Sequence, residues 1–307
     1  MKIKKPKFWD NKKLSFLAII LIPISLLYLF FSYIDKLKKK KYFKIPVICV
    51  GNIYLGGTGK TPLVIEIFKI LKYLGKNPGF IKKYYNYIQD EINILEKTGP
   101  TFVSKKRNEA IKKLINNNHD VAILDDGFQD FTMNKKFSLI CFNSRQWIGN
   151  GLPLPSGPLR ELFSSIKRAE CIIINGEKDI NFESKILKEK NVKIFYSKYV
   201  PTNIDKFKNL KIIAFAGIGN PLNFFDLLNR YNLNVIDTIS YPDHYNYNDD
   251  DLNFLLKKAE KLDATLLTTE KDYLRLDNNL KKNIELLKVE LEIENKKEFT
   301  ELIKSNI

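Results

Sequence analysis

The run GNIYLGGTGKT, residues 51–61, offers the most legible chemistry in the chain. Glycines at 56, 57 and 59 let consecutive backbone N–H groups turn inward around Thr58, and a helix starting behind them adds positive potential, which together make a cradle for phosphate oxygens. Gly56, Gly57, Thr58, Gly59, Lys60 and Thr61 are the expected nucleotide-binding set. In such a loop the Lys60 ammonium reaches the β- and γ-phosphates and the Thr61 hydroxyl ligates Mg²⁺. The strict form of this motif places glycine six residues before the lysine, where this chain has Tyr54.

A second signal is VAILDDGFQD, residues 121–130, an apolar run ending in two carboxylates. A buried parallel strand delivers such acids to the carboxyl edge of its sheet, beside the phosphate loop, so Asp125 or Asp126 is expected to hold Mg²⁺ directly or through water. Glu161 follows a loop stiffened by Pro153, Pro155 and Pro158. It either completes the metal shell, with Arg160 on a phosphate, or forms an ordinary ion pair. TTEKD, residues 268–272, ends a strand and begins a turn, suited to a ligand contact or to a purely structural role. Only two histidines exist, so a mechanism needing imidazole must choose between His119, in a helix-ending loop, and His244.

Short β-rich runs alternating with amphipathic stretches must position these groups, a pattern that belongs to βαβ units and a mainly parallel sheet. Strands are expected at 45–50, 121–125, 137–142 and 171–174, with helices at 60–74 and 107–118. A second set follows Pro201, with strands at 211–216, 235–240, 264–269 and 284–291 and helices at 221–231 and 249–261. The expected fold is an α/β, P-loop NTPase-like sheet with a second, smaller α/β lobe and an N-terminal membrane helix. The expected division is an anchor at 1–44, a nucleotide-binding lobe at 45–175, a connecting segment at 176–208 and a second lobe at 209–307.

The anchor is read from residues 14–34, an uncharged run long enough, at about 30 Å as a helix, to match a bilayer's hydrocarbon core. It is expected to span the membrane or embed deeply in it, and lysines on both flanks leave its orientation open. Of the formal charge of +16, residues 1–44 supply ten, from twelve lysines and two acids. The rest of the chain is only mildly basic, which argues against a nucleic-acid partner and for a bilayer. Three scattered cysteines form neither a disulfide framework nor a zinc pair.

Six motifs in one order, GGTGKTP (56–62), DDGFQ (125–129), LPLPSGPLRE (152–161), AFAGIGNP (214–221), PDHY (242–245) and TTEKD, resemble the tetraacyldisaccharide 4′-kinase family. The resemblance implies ATP and Mg²⁺ as co-substrate and cofactor, an acylated glucosamine disaccharide 1-phosphate as acceptor, and a catalytic domain on the cytoplasmic face of a bacterial inner membrane. It further implies an Asp–His pair as the base for the 4′-hydroxyl, here Asp90 and His244, alongside Lys60 in catalysis. The chain departs from the family's Ser-Arg-Gly-Tyr-Gly segment, reading IKKYY at 81–85, so that Lys82 stands as a point charge where an arginine is usual. A membrane-tethered P-loop ATPase or GTPase switch is the competing class, weakened by Glu270 where a guanine-reading motif needs Asn.

Overall fold

The computed structural model describes residues 6–11, 13–277 and 281–307; Met1–Lys4, Lys5 and Lys12 of the basic amino-terminal flank lie outside them. The chain forms two compact units. The larger comprises Lys5–Tyr84, Leu95–Lys198 and Glu292–Ile307, and the smaller is built from Tyr85–Ile94 and Tyr199–Leu291.

Twelve strands are present among the described residues: β1 Val47–Gly51, β2 Pro78–Lys83, β3 Thr101–Ser104, β4 Val121–Asp125, β5 Phe137–Asn143, β6 Cys171–Asn175, β7 Lys193–Pro201, β8 Lys211–Ala216, β9 Asn234–Ser240, β10 Thr265–Thr269, β11 Ile284–Leu287 and β12 Val289–Ile293. One sheet has the order β12-β7-β6-β5-β1-β4-β2-β3 and the other β11-β10-β8-β9. From β7 through to β3 every pairing is parallel, as is every pairing of the smaller sheet. Parallel strands need crossovers and bury both faces, so β1, β4, β5 and β6 are buried at every position.

Helices lie in the crossovers: α3 Lys60–Tyr73, α4 Gln89–Thr98, α5 Arg107–Asn116, α6 Ile180–Glu189, α7 Pro221–Arg230, α8 Asp249–Leu262 and α9 Glu270–Arg275, with α1 Phe16–Ile20 and α2 Ile22–Lys36 before the first strand and α10 Lys296–Lys304 after the last. In the smaller unit the period-two rule is plain along β8. Ile212, Ala214 and Ala216 pack with Phe224, Phe225 and Leu228 of α7, whereas Ile213 and Phe215 pack with Leu252 and Leu255 of α8.

The expectation of an N-terminal membrane helix is corrected here. Among the described residues, no helix is long and apolar enough to cross a membrane. The apolar run is delivered as two pieces joined at Leu21, with Pro23 in the first turn of α2, where its missing N–H is tolerated. At fifteen residues α2 is only about 22 Å long, short of a hydrocarbon core of about 30 Å. Part of the run faces protein instead. Ser25 Oγ donates to Pro153 O (3.1 Å) and Ser156 Oγ (2.7 Å), and Tyr28 Oη donates to the carbonyl of Arg160 (2.9 Å). Phe16, Leu17, Leu26, Leu27, Phe30 and Phe31 remain exposed.

Candidate active site

Both faces of the phosphate loop are set by β1 and α3. A Cβ at Gly51 would fall 2.4 Å from Phe128 Cβ, so only glycine lets β1 end against the loop after β4. Gly59 takes φ 92°, the left-handed region open to glycine, and turns the chain into Lys60 at the start of α3. Asn52 ties the loop from within, its Nδ2 donating to Tyr54 O (2.6 Å), Gly56 O (3.2 Å) and Thr58 Oγ1 (3.0 Å). Tyr54, which breaks the strict motif, is buried, and its hydroxyl donates to Asp10 Oδ1 at 2.7 Å. The ring is housed in protein, leaving the cradle to Gly56, Gly57, Thr58 and Gly59.

β4 runs beside β1 with Asp125 opposite Val50, which brings the two sequence signals to one sheet edge. Thr61 Oγ1 lies 3.3 Å from Asp125 Oδ2, and the ammonium of Lys82, from β2, lies 2.5 Å from the same oxygen. Asp125 is fully buried, and its Oδ1 has no hydrogen-bond partner among the described residues. An orphaned carboxylate oxygen beside a threonine hydroxyl is a donor set suited to a hard divalent cation.

The other two acids have cationic partners. Asp126 accepts both of its short contacts from Arg160 NH1, at 2.8 and 3.0 Å, and lies 3.8 Å from Lys60 Nζ. Burial pushes its carboxyl up, but Lys60, Arg160 and Lys82 outweigh that and hold it well below the usual range. Glu161 is buried against Arg168 NH2 (2.6 and 2.7 Å), Lys36 Nζ (3.0 Å) and Gln129 Nε2 (3.3 Å). Among the described residues, no three His, Cys, Asp or Glu side chains converge as a metal cage. Beside Glu161, a cavity of about 550 Å³ opens between Leu26, Leu29, Phe30 and Tyr33 of α2 and Leu162, with Lys36 and Arg168 also in its wall.

The smaller unit holds the acid–imidazole pair. Asp90, in the first turn of α4, is buried, and its Oδ1 lies 3.4 Å from His244 Nδ1. His244 takes φ 54°, and its backbone N–H donates to Gly217 O. Arg275 forks between acids: Nε and NH2 reach Asp90 Oδ2 at 3.1 and 2.5 Å, and NH1 reaches Asp272 Oδ1 and Gly217 O at 3.0 and 2.7 Å. Burial favours the neutral form of Asp90, but the His244 hydrogen bond and the charges of Arg275 and Lys271 prevail and bring its pKa down to about 2. Asp272 also accepts from Gly217 N, Tyr247 Oη and Thr269 Oγ1, so this residue of TTEKD organises the unit from inside. Lys271 pairs with Glu91 at 2.5 Å. His119 stands apart, its Nδ1 near Asn77 O.

A family profile described as tetraacyldisaccharide-1-P 4′-kinase (LpxK) matches residues 17–307. The chain belongs to the tetraacyldisaccharide 4′-kinase family. It is 44% identical to the tetraacyldisaccharide 4′-kinase of Pelagibacter ubique over the whole of this chain and 99% of the relative. To the Rickettsia akari enzyme of that name it is 35% identical over 96% and 95% of the two chains. Among solved structures, LpxK from Aquifex aeolicus in complex with ATP superposes with a TM-score of 0.72 at 24% identity, over 94% of this chain and 99% of that one, which establishes the shared fold.

The tetraacyldisaccharide 4′-kinase match takes in α2, the phosphate loop, Asp90 and His244 together. Three neighbours of the site were not singled out from the sequence in these positions. Asn52 sits one residue beyond β1 and reads as part of a generic turn. Arg275 is one helical turn after Asp272, an i,i+3 acid–base pair that marks it only once α9 is recognised. Lys82 is read from the sequence as part of a substrate-side loop, whereas its side chain is buried against Asp125.

Proposed function

We propose that this chain transfers the γ-phosphate of ATP to the 4′-hydroxyl of a tetraacylated glucosamine disaccharide 1-phosphate, a step of lipid A biosynthesis. The protein is an ATP-dependent kinase of its family, with ATP as co-substrate and Mg²⁺ as cofactor. The observation that carries the reading is the family match along nearly the entire chain, on a fold that keeps a phosphate loop next to a buried, half-satisfied carboxylate.

Each residue then has a role. Gly56, Gly57, Thr58 and Gly59 present backbone N–H groups to the phosphates, and Lys60 neutralises charge as the γ-phosphoryl group moves. Thr61 and Asp125 would hold Mg²⁺, which would supply further neutralisation of the phosphate oxygens. Asp126 and Glu161 serve that site through Arg160 and Arg168, the cations they orient. His244 takes the proton of the acceptor hydroxyl at Nε2, while Asp90 faces Nδ1, fixes the ring and stabilises the imidazolium that results. The cavity beside α2 suits acyl chains, with Lys36 and Arg168 available to anionic headgroup oxygens. The reaction belongs to the inner membrane, and we assign it to the cytoplasmic face, where ATP is found.

Incubation of the purified protein with γ-labelled ATP, Mg²⁺ and an acylated disaccharide 1-phosphate tests the reading. Label is expected in the lipid fraction, and only in the presence of Lys60. Release of label solely as inorganic phosphate, with the lipid unmodified, would overturn the kinase assignment.

A further inference from the structure

We infer that Lys82 is a positioning residue for the metal-binding carboxylate: it clamps one oxygen of Asp125, leaves the other for the cation and, by sharing the carboxylate's charge, makes metal binding depend on nucleotide. The inference rests on the reading of Asp125 as the Mg²⁺ ligand.

Lys82 is the penultimate residue of β2, whose parallel register with β4 sets Ile81 opposite Leu124, so Lys82 comes level with Asp125 at the sheet edge. Its side chain is only 5% exposed, and its ammonium contacts Oδ2, the oxygen that also accepts from Thr61. Oδ1, with no hydrogen-bond partner among the described residues, is thereby fixed in one orientation. An arginine here would engage a carboxylate through two nitrogens; a lysine, as a point donor, occupies one oxygen and frees the second.

The surrounding charge extends the argument. Asp125 and Asp126 face Lys82 from β2, Lys60 from α3 and Arg160 from the loop before Glu161. These two carboxylates and three cations together sum to a positive charge, which opposes a divalent cation arriving alone. Nucleotide phosphates reverse that sign, so metal and nucleotide bind as a coupled pair, and by linkage each tightens the other by the same factor.

Binding of Mn²⁺, followed by electron paramagnetic resonance with and without ADP, is the test on the full chain. Lys82→Gln keeps a donor and most of the volume while removing the charge; Lys82→Met removes both charge and donor. Each is expected to tighten Mn²⁺ binding without nucleotide by about tenfold and to shrink the ADP–Mn²⁺ coupling by the same factor, within the usual range of coupling between sites. Lys82→Arg, which retains the charge but can engage both oxygens, should weaken Mn²⁺ binding with and without ADP; wild-type affinity in that variant would overturn the clamp. Unchanged or weaker nucleotide-free binding in the Gln variant would overturn the inference. Should Lys82→Met fail to fold, Lys82→Met with Asp125→Asn, which removes both charges, should recover the melting temperature; no recovery would overturn the clamp. Asp125→Asn alone separates the two levels. If it leaves Mn²⁺ affinity intact, the metal-site reading fails; if it abolishes binding while both Lys82 variants bind as wild type, only the role of Lys82 fails.

Discussion

At the level of single residues, the proposed reaction assigns charge on phosphate to groups of the larger unit and the handling of one proton to groups of the smaller. Lys60→Ala removes the ammonium at the start of α3, so turnover should fall by at least about 10²-fold while the melting temperature stays near wild type. Near-normal transfer in that variant would remove the phosphate loop from the mechanism. Asp90 and His244 form one unit through a 3.4 Å contact, and each alanine variant should lower turnover by about 10² to 10⁴ with nucleotide affinity preserved. The double variant should lose little more than the worse single one; multiplying losses would assign the two residues separate tasks. Arg275 is the residue to watch beside them. With the His244 hydrogen bond it brings the Asp90 carboxyl down to about 2, so this group should not titrate in a rate profile above pH 4.

Secondary-structure elements explain both what the residues can do and what the sequence conceals. The docking of α2 depends on Ser25, buried at 2% exposure in a mostly apolar helix, which also accepts from Ser156 N at 3.1 Å. Ser25→Ala leaves the Ser156 N–H and hydroxyl short of a partner and should cost about 1–3 kcal/mol, read from denaturant unfolding. A cost near zero would mean the contact is made in water's favour. Length and lack of charge gave the run 14–34 the reading of a helix that spans the membrane or embeds deeply in it, because Ser25 and Pro23 are uncharged and leave no mark on such a pattern although they bear on where the helix breaks and what it docks against. The strands that flank the phosphate loop were legible, since each is a buried apolar run at a parallel sheet's centre. β2 and β3 were not, as one begins at Pro78-Gly79 and the other has four residues. The expected strand at 284–291 is two strands parted at Lys288, β11 in one sheet and β12 in the other, a break that no local pattern announces. The contact between Asp90 and His244 was reached through family resemblance, because residues so far apart in sequence carry no spacing signal.

For the molecule as a whole, acid is the condition that tests how far buried charge supports each unit. Asp90 has a model-peptide value of 3.8 and about 2 in the folded protein. A carboxylate held below its unfolded value stabilises the fold at all pH above that unfolded value, and the contribution fades as pH falls through the folded one. The smaller unit should therefore lose on the order of 2 kcal/mol between pH 4 and pH 2 from this group alone. Asp90→Asn should flatten that stretch of the stability profile; an unchanged slope would place the acid sensitivity elsewhere. In the larger unit Asp126 and Asp130 are held low as well, so it should weaken in the same direction. The order in which the units are made follows from their segments. Residues 292–307 belong to the larger unit, where Phe299 packs edge-on against Phe195, Ile293 and Ile303 are buried, and Lys296 pairs with Glu66. They leave the ribosome only after Tyr199–Leu291 has been translated. A nascent chain thus carries its entire phosphate loop and Asp125 while the β7 side of that sheet still lacks its last strand, and for that interval an unpaired strand edge is open to chaperones or to a neighbouring nascent chain.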